Sequence, residues 1–268
     1  MRRRLLIWGF GRVGSAVVHQ LLLQQHSVAS GGWSYDSLWV ISSKSKPLGM
    51  SGVEWLSVED FVSNAKSFLH PNDVVLLTVS DSQISRCAHY CDYPQISVVH
   101  CSGASPKLVM EKAESAVFYP LQTFSSGVEI DWAKVPVFVE AEGSAMKQIN
   151  HDLATSLGVL NCEEISFVDR EKLHLAAVFA NNFTIAMAGI AHDILQDSGL
   201  NSAWIQPILA QTALNLGSDL PWSKLTGPAK RGDQKTMLNH LELLQANPEL
   251  KTLYEKISGY IQAKETKA

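Results

Sequence analysis

The sequence predicts an α/β domain built on a mostly parallel sheet, followed by an all-α domain. Three observations carry this prediction. From Arg4 to Ile165, short apolar runs alternate with helical patterns, the signature of parallel strands joined by helices. Beyond Ile165 no strand pattern recurs, and Asp169–Leu195 is proline-free and rich in Ala, Leu and Ile. A length of 268 residues also fits about two domains at ~150 residues each. The expected division is 1–166 and 167–268.

Each element follows from local chemistry. Arg4–Trp8 is an apolar strand, and Ser15–Gln24 is a helix burying Ala16, Val17, Leu21 and Leu22. Gly31–Ser37 is a small-residue loop before a second strand, Leu38–Ser42. Trp55-Leu56 is a short third strand, with Ser57 or Asp60 starting the next helix. Asp73–Val79 is β-branched and apolar on both faces, hence a central strand. Ile84–Cys91 reads as a helix and Ser97–Cys101 as a fifth strand. Ser105–Glu114 is expected to be a short helix with Pro106 in its first turn. Val117–Tyr119 and Val135–Glu140 are further strands, and Ser144–Leu157 is a helix that Gly158 can cap. Leu160–Ile165 is a last edge strand. Asp169–Leu195 reads as one long helix, with Ser202–Gly217, Asp233–Gln245 and Pro248–Ala263 as three more.

Composition narrows the function classes. The chain is 46% hydrophobic and 18% charged, with a net charge of −4, so it can bury a core and is neither disordered nor fibrous. A pI near 6.1 argues against nucleic acid as the main partner, because phosphate binding needs a basic face. No uninterrupted run of about 18 apolar residues occurs, so no membrane span is expected. Met1-Arg2-Arg3-Arg4 before Leu5–Trp8 resembles the start of a secretory signal. The apolar stretch is too short, however, and Gly9, Gly11 and Arg12 break it. Cys87, Cys91, Cys101 and Cys162 read as buried or indifferent thiols of a reduced, cytoplasmic chain, without a metal.

Gly9-Phe10-Gly11-Arg12-Val13-Gly14 matches G-x-G-x-x-G, directly after a strand and at the opening of a helix. Gly9 allows the tight turn, Gly11 lets backbone approach a pyrophosphate, and Gly14 lets the helix pack on the strand. The helix N-terminus supplies free N–H groups for phosphate. This is the pattern of a Rossmann dinucleotide-binding domain. An NAD site usually carries Asp or Glu at the end of the second strand. Here Ser42-Ser43-Lys44-Ser45-Lys46 offers hydroxyls and cations, which suit the 2′-phosphate of NADP in preference to NAD, with Arg12 adding a further cation. Val79, Ser80 and Asp81 follow the fourth strand and are expected along the nicotinamide side. Asp81 serves equally as an N-cap for the helix at Ile84. Ser102 and Gly103 follow the fifth strand and can bond a substrate carboxylate or carbonyl, while His100 reads as a satisfied core histidine.

On the long helix, His174, Val178, Asn181 and Asn182 fall near one stripe. Polar groups in an otherwise apolar helix are costly to bury unpaired, so they line a polar cleft or form an interhelix network. His192 lies farther along. Leu225–Asp233 joins a Gly-Pro turn to Arg231-Gly232-Asp233, a rigid polar loop with Asp233 placed to cap the helix carrying Thr236 and His240.

Together these residues, with His100–Ala104, Tyr119–Phe124 and Asn181-Asn182-Phe183, resemble the Rossmann-like proteins with a C-terminal DUF2520 domain. More distantly the chain is similar to the 6-phosphogluconate dehydrogenase-like superfamily, including ketopantoate reductase, 3-hydroxyisobutyrate dehydrogenase and pyrroline-5-carboxylate reductase. The resemblance implies an NADP-dependent oxidoreductase whose helical domain contacts substrate and forms a homodimer. Many β-hydroxyacid dehydrogenases of that superfamily carry a lysine one turn before an asparagine. If Asn182 matches that asparagine, the lysine position is Val178, so lysine-based proton transfer does not carry over. The nearest acid or base is His174. The expected reaction is hydride transfer between NADPH and a small carbonyl or imine. His174 is the expected proton donor, Ser102 and Asn182 are expected to orient the substrate, Gly103, Asn181 and Asp233 are expected to line its site, and Arg231 is expected to bind a substrate anion. A non-catalytic NADP-binding sensor and a partner-binding module without cofactor are the alternatives. A short-chain reductase is disfavoured, because the sheet half lacks a Tyr-x-x-x-Lys pair.

Overall fold

The computed structural model describes residues 3–25, 35–125, 127–217 and 221–266. Most of the expected loop from Gly31 to Ser37 lies outside the described residues. The elements run β1 (Arg4–Trp8), α1 (Arg12–Gln25), β2 (Ser37–Ser42), β3 (Glu54–Ser57), α2 (Val58–Phe68), β4 (Val74–Leu77), α3 (Asp81–His89), β5 (Ser97–His100) and β6 (Glu114–Pro120). They continue as β7 (Val137–Ala141), α4 (Gly143–Leu157), β8 (Cys162–Glu164), α5 (Phe167–Ala177) and α6 (Thr184–Asp197). The last are α7 (Gln206–Leu216), α8 (Pro228–Arg231), α9 (Gln234–Leu243) and α10 (Pro248–Glu265).

The eight strands form one sheet in the order β3-β2-β1-β4-β5-β6-β7-β8. Every pair is parallel except β6 with β7. Strands β1, β4 and β5 are buried on both faces, β4 wholly apolar, β1 apolar after Arg4, and β5 apolar at its two middle residues, as central parallel strands tend to be. One face packs on α1 and α4 through residues such as Val18, Leu21 and Leu153. The other packs on α2 and α3 through Phe61, Ile84 and Ala88. Gly158 closes α4 in the left-handed conformation (φ +75°), the C-cap that its lack of a Cβ makes cheap.

The expected helix over Ser105–Glu114 does not form. Its backbone groups are engaged by side chains from elsewhere. The Ser105, Pro106 and Leu108 carbonyls accept from Arg170, His100 and Ser115. The amides of Glu111, Lys112 and Ala113 donate to the Asp92 carboxylate. Each such bond removes a donor or acceptor that a helix needs, and Glu114 joins β6. Helix α3 also starts earlier than expected, at Asp81, with Ser80 as the N-cap. Asp81 instead places its charge in the first turn, where the helix dipole favours it.

Residues 167–197 are helical throughout, but a π segment, Val178–Phe183, separates α5 from α6. Its best 18-residue window has a mean hydropathy of 1.4, so by length and composition it could cross a membrane. Polar residues interrupt the apolar run without adding charge to that window, a pattern that a search for unbroken apolar stretches passes over.

Contacts divide the chain into two compact units, Met1–Ile185 and Ala186–Ala268. The change from strands to helices falls near residue 166, while the first unit also takes in α5 and the π segment. In the second unit Asp233 caps α9, His240 Nδ1 bonds the Tyr254 hydroxyl at 2.9 Å, and Lys230 pairs with Glu265. Among its described residues Ser258 alone is buried, and several apolar side chains of α6 and α7, including Ile194, Ile208 and Leu214, are exposed.

Candidate functional site

The site lies at the carboxyl ends of β1, β4, β5 and β6. Their register aligns Trp8 with Leu77, Leu77 with His100, and His100 with Val117. All four strands therefore release their chains on one edge of the sheet, where open α/β folds bind ligands.

The loop after β1 is shaped around Thr78. Gly9 has φ +114°, and a Cβ there would lie 2.8 Å from the Thr78 carbonyl oxygen. A Cβ on Gly14 would lie 2.1 Å from the Gly9 carbonyl oxygen and 2.6 Å from Thr78 Oγ1. Thr78 Oγ1 donates to Gly9 O at 2.9 Å, tying β4 to the turn. Around Gly11, by contrast, nothing lies within 4 Å of a Cβ position. Two glycines are thus required by the protein itself, while the third keeps backbone bare beside open space at the start of α1. The free N–H groups of that helix end point where a phosphate is favoured. These residues fit a dinucleotide pyrophosphate.

The loop after β2 reaches back to this turn. Lys44 Nζ donates to the Phe10 carbonyl at 3.2 Å, and Lys44 N–H donates to the buried Ser42 hydroxyl at 3.0 Å. Phe10 packs edge-on to Trp55 at 4.9 Å, and Trp55 Nε1 donates to the Lys44 carbonyl. Lys46 instead turns to the Val53 carbonyl. Arg12 and Ser43 are exposed. Lys44, Ser42, Ser43 and Arg12 thus sit at the adjoining ends of β2 and the glycine turn. After β4, Val79 packs on the core beneath α2 and α3, and the Ser80 and Ser82 hydroxyls lie 3.3 Å apart.

The loop after β5 is held from below. His100 is fully buried. Its Nε2 bonds the Pro106 carbonyl at 3.0 Å, and its Nδ1 accepts the Ser102 N–H at 3.2 Å. Burial above all pushes its pKa down to about 4, the neighbouring Arg170 charge adding to the effect. It is the satisfied core histidine expected. Ser102 Oγ accepts the N–H groups of Ala104 and Ser105 at 3.1 and 2.9 Å and donates to Ser105 Oγ at 3.0 Å. Its hydroxyl closes its own turn.

His174 lies on α5 and Tyr119 near the end of β6, and the Tyr119 hydroxyl sits 3.1 Å from His174 Nδ1. Burial raises the Tyr119 pKa, against the opposing pull of Arg170, so Tyr119 remains a phenol. Gly103 lies against both side chains. A Cβ there would fall 2.7 Å from His174 Nδ1, 2.7 Å from Tyr119 Cζ and 2.8 Å from Tyr119 Cε2. His174 and Tyr119 open on a cleft of about 440 Å³, also lined by Gln122, Val178, Asn181 and Asn182. Asn181 and Asn182 stand in the π segment, a local distortion found often at functional positions.

The sequence reading missed Arg170. It is 0% exposed, and its Nη1 donates to the Ser102 and Ser105 carbonyls at 2.7 and 2.8 Å. A longer contact of 3.4 Å reaches the Gly103 carbonyl, and Nη2 donates to Glu140 at 2.8 Å. The available signal was its spacing, since Arg170 precedes His174 by one helical turn. Tyr119 carried no assigned role either, although it stands in the Tyr119–Phe124 motif. Arg231 and Asp233 belong to the second unit. The Asp233 carboxylate accepts from Thr236 N–H and Oγ1, bonds that hold its pKa below the usual carboxylate value. Among the described residues no three His, Cys, Asp or Glu side chains converge as a metal site.

Residues 135–261 match the DUF2520 domain, a domain of unknown function. No curated protein matches the sequence. Among solved structures, a "putative NADP oxidoreductase" of Bacteroides fragilis is 25% identical over 98% of both chains, with a TM-score of 0.80. A Thermotoga maritima protein is 19% identical over 98% of both chains, with a TM-score of 0.68. A Plasmodium falciparum pyrroline carboxylate reductase with NADP bound is 14% identical, covering 98% of this chain and 99% of its own, with a TM-score of 0.52.

Proposed function

We propose that this chain, which carries a DUF2520 domain behind a Rossmann-type sheet, is an NADP-dependent oxidoreductase acting on a small carbonyl or imine compound. The observation that carries the reading is the pairing of His174 with Tyr119 over Gly103, on the same sheet edge as a glycine turn left open for a pyrophosphate. The similarity to the Bacteroides fragilis protein supports the cofactor class.

Gly9, Phe10, Gly11, Arg12, Val13 and Gly14 hold the pyrophosphate, and Ser42, Ser43 and Lys44 meet the 2′-phosphate. Val79, Ser80 and Asp81 border the nicotinamide side. Bound NADPH supplies the hydride. The Tyr119 hydroxyl occupies His174 Nδ1, so Nε2 is the nitrogen left to exchange a proton with the substrate oxygen or nitrogen. A histidine with its second nitrogen held by a hydrogen bond is oriented for that transfer. The Gly103 N–H, Asn181 and Asn182 orient the substrate in the cleft.

The test joins NADPH binding, followed by nicotinamide fluorescence, to a reductase screen over keto acids, aldehydes and cyclic imines. Saturable NADPH binding is expected, together with turnover that His174→Ala lowers by about 100-fold or more without abolishing it. Failure to bind NADPH, or turnover unchanged in His174→Ala, refutes the assignment.

A further inference from the structure

We propose that Arg170 is a positioning residue that aims and polarises the Gly103 N–H toward its ligand. This rests on the function proposed above, in which that N–H meets the substrate. The Ser102 carbonyl is fixed on the Arg170 guanidinium at 2.7 Å, and no cis peptide bond occurs among the described residues. In a trans peptide the C=O and the following N–H point in opposite directions. The Gly103 N–H therefore points away from Arg170. It has no hydrogen-bond partner among the described residues, whereas its neighbours do: Ser102 N–H goes to His100, and Ala104 and Ser105 N–H go to Ser102 Oγ. One donor of this loop is left over, and Arg170 sets its direction.

The cation also acts on the strength of that donor. A charge bound to the carbonyl draws electron density through the peptide and makes its N–H a better donor, an effect that low local dielectric enlarges. Arg170 is suited to this by its planar fork. Its Nη1 reaches the Ser102 and Ser105 carbonyls together, and its Nη2 takes Glu140. A lysine cannot reproduce that geometry. The same residue lies one turn before His174 and stacks on Phe167, 5.3 Å from its ring centroid, so a single side chain joins α5 to the loop that underlies the His174–Tyr119 pair.

The experiment uses the full-length protein with Arg170→Lys and Arg170→Met. The first readout, nuclear magnetic resonance of the Gly103 amide in glycine-labelled protein, needs no turnover. The Gly103 resonance is expected to move upfield in both variants, with Gly9, Gly11 and Gly14 unmoved. The second readout is kinetic. Arg170→Lys is expected to lower kcat/KM by about 100-fold, the scale for a group misplaced by about 1 Å, with NADPH affinity retained. Combining it with His174→Ala is expected to add little to the loss from His174→Ala alone, because both act on one site. A destabilised but otherwise normal enzyme would instead show multiplicative losses. A Gly103 amide that stays in place in Arg170→Lys overturns the proposal whether or not a substrate has been found. Multiplicative losses overturn it where turnover is measurable. Absence of turnover with a shifted Gly103 amide counts against the oxidoreductase reading and supports the positioning role.

Discussion

Replacing Gly103 with alanine tests the geometry of the site most directly. Gly103 does not have a positive φ, so the substitution adds no backbone strain and acts through contact alone. The new methyl would sit 2.7 Å from His174 Nδ1 and 2.7 Å from Tyr119 Cζ. Comfortable carbon contacts begin near 3.5–4.0 Å, so each ring must retreat by roughly 1 Å. The 3.1 Å bond between Tyr119 and His174 has little slack, and a retreat of both rings breaks it. Overpacking of this kind costs about 1–3 kcal/mol, and the lost hydrogen bond adds about 1 kcal/mol. The larger consequence falls on chemistry, since a misplacement of about 1 Å can cost on the order of 100-fold in rate. Thermal unfolding, NADPH titration and steady-state kinetics on Gly103→Ala separate these effects. The expected result is a lower Tm, unchanged NADPH affinity and kcat reduced by about two orders of magnitude. A variant with wild-type Tm and kcat within about twofold of wild type would show that the two rings are not held as described.

Further outcomes follow from other parts of the structure. Gly11→Ala is expected to leave Tm unchanged, since open space surrounds it, yet to weaken NADPH binding at least about 10-fold. Gly14→Ala, whose methyl would strike the Gly9 carbonyl, should lower Tm as well. Lys44→Ala is expected to reduce the preference for NADPH over NADH by about 10-fold or more, read as a ratio of dissociation constants; an unchanged ratio removes Lys44 from the 2′-phosphate. The unfolded chain binds the His100 proton near pH 6.5, whereas the fold keeps this residue neutral down to about 4. Its contribution is therefore full above pH 6.5 and is lost as pH falls toward 4. Urea unfolding of His100→Gln should show a shallower loss over that range than the parent, and parallel curves would contradict this. Finally, the exposed apolar side chains of α6 and α7 predict self-association, and light scattering that shows a monomer at micromolar concentration would contradict it.

The sheet was legible because each central strand buries both faces, which leaves a run of apolar residues such as Val74–Leu77 that needs no tertiary information. The glycine turn was legible from its spacing between a strand and a helix, although Gly9 and Gly14 answer to Thr78 at the end of β4, which that spacing does not reveal. The stretch over Ser105–Glu114 was not. Its conformation is decided by the side chains of Asp92, His100 and Arg170, which lie outside it in sequence, two of them 19 or more residues from the groups they bond, and local helix propensity weighs none of them. Arg170 escaped notice because a charged residue in the first turns of a helix normally faces water; its burial follows from three carbonyls and a carboxylate that the fold alone assembles. The His174 stripe was visible from spacing, but its partner Tyr119 was not, because the two come from elements 55 residues apart.

The near absence of buried side chains in the second unit also bears on how the chain is made. Residues 1–185 leave the ribosome with a complete apolar interior and can settle as they emerge. The later helices have little of their own to close around. Synthesis is therefore expected to yield a formed dinucleotide-binding unit first, with a helical remainder exposing apolar surface for longer. Slow consolidation of that remainder, rather than of the sheet, is where aggregation during expression should begin.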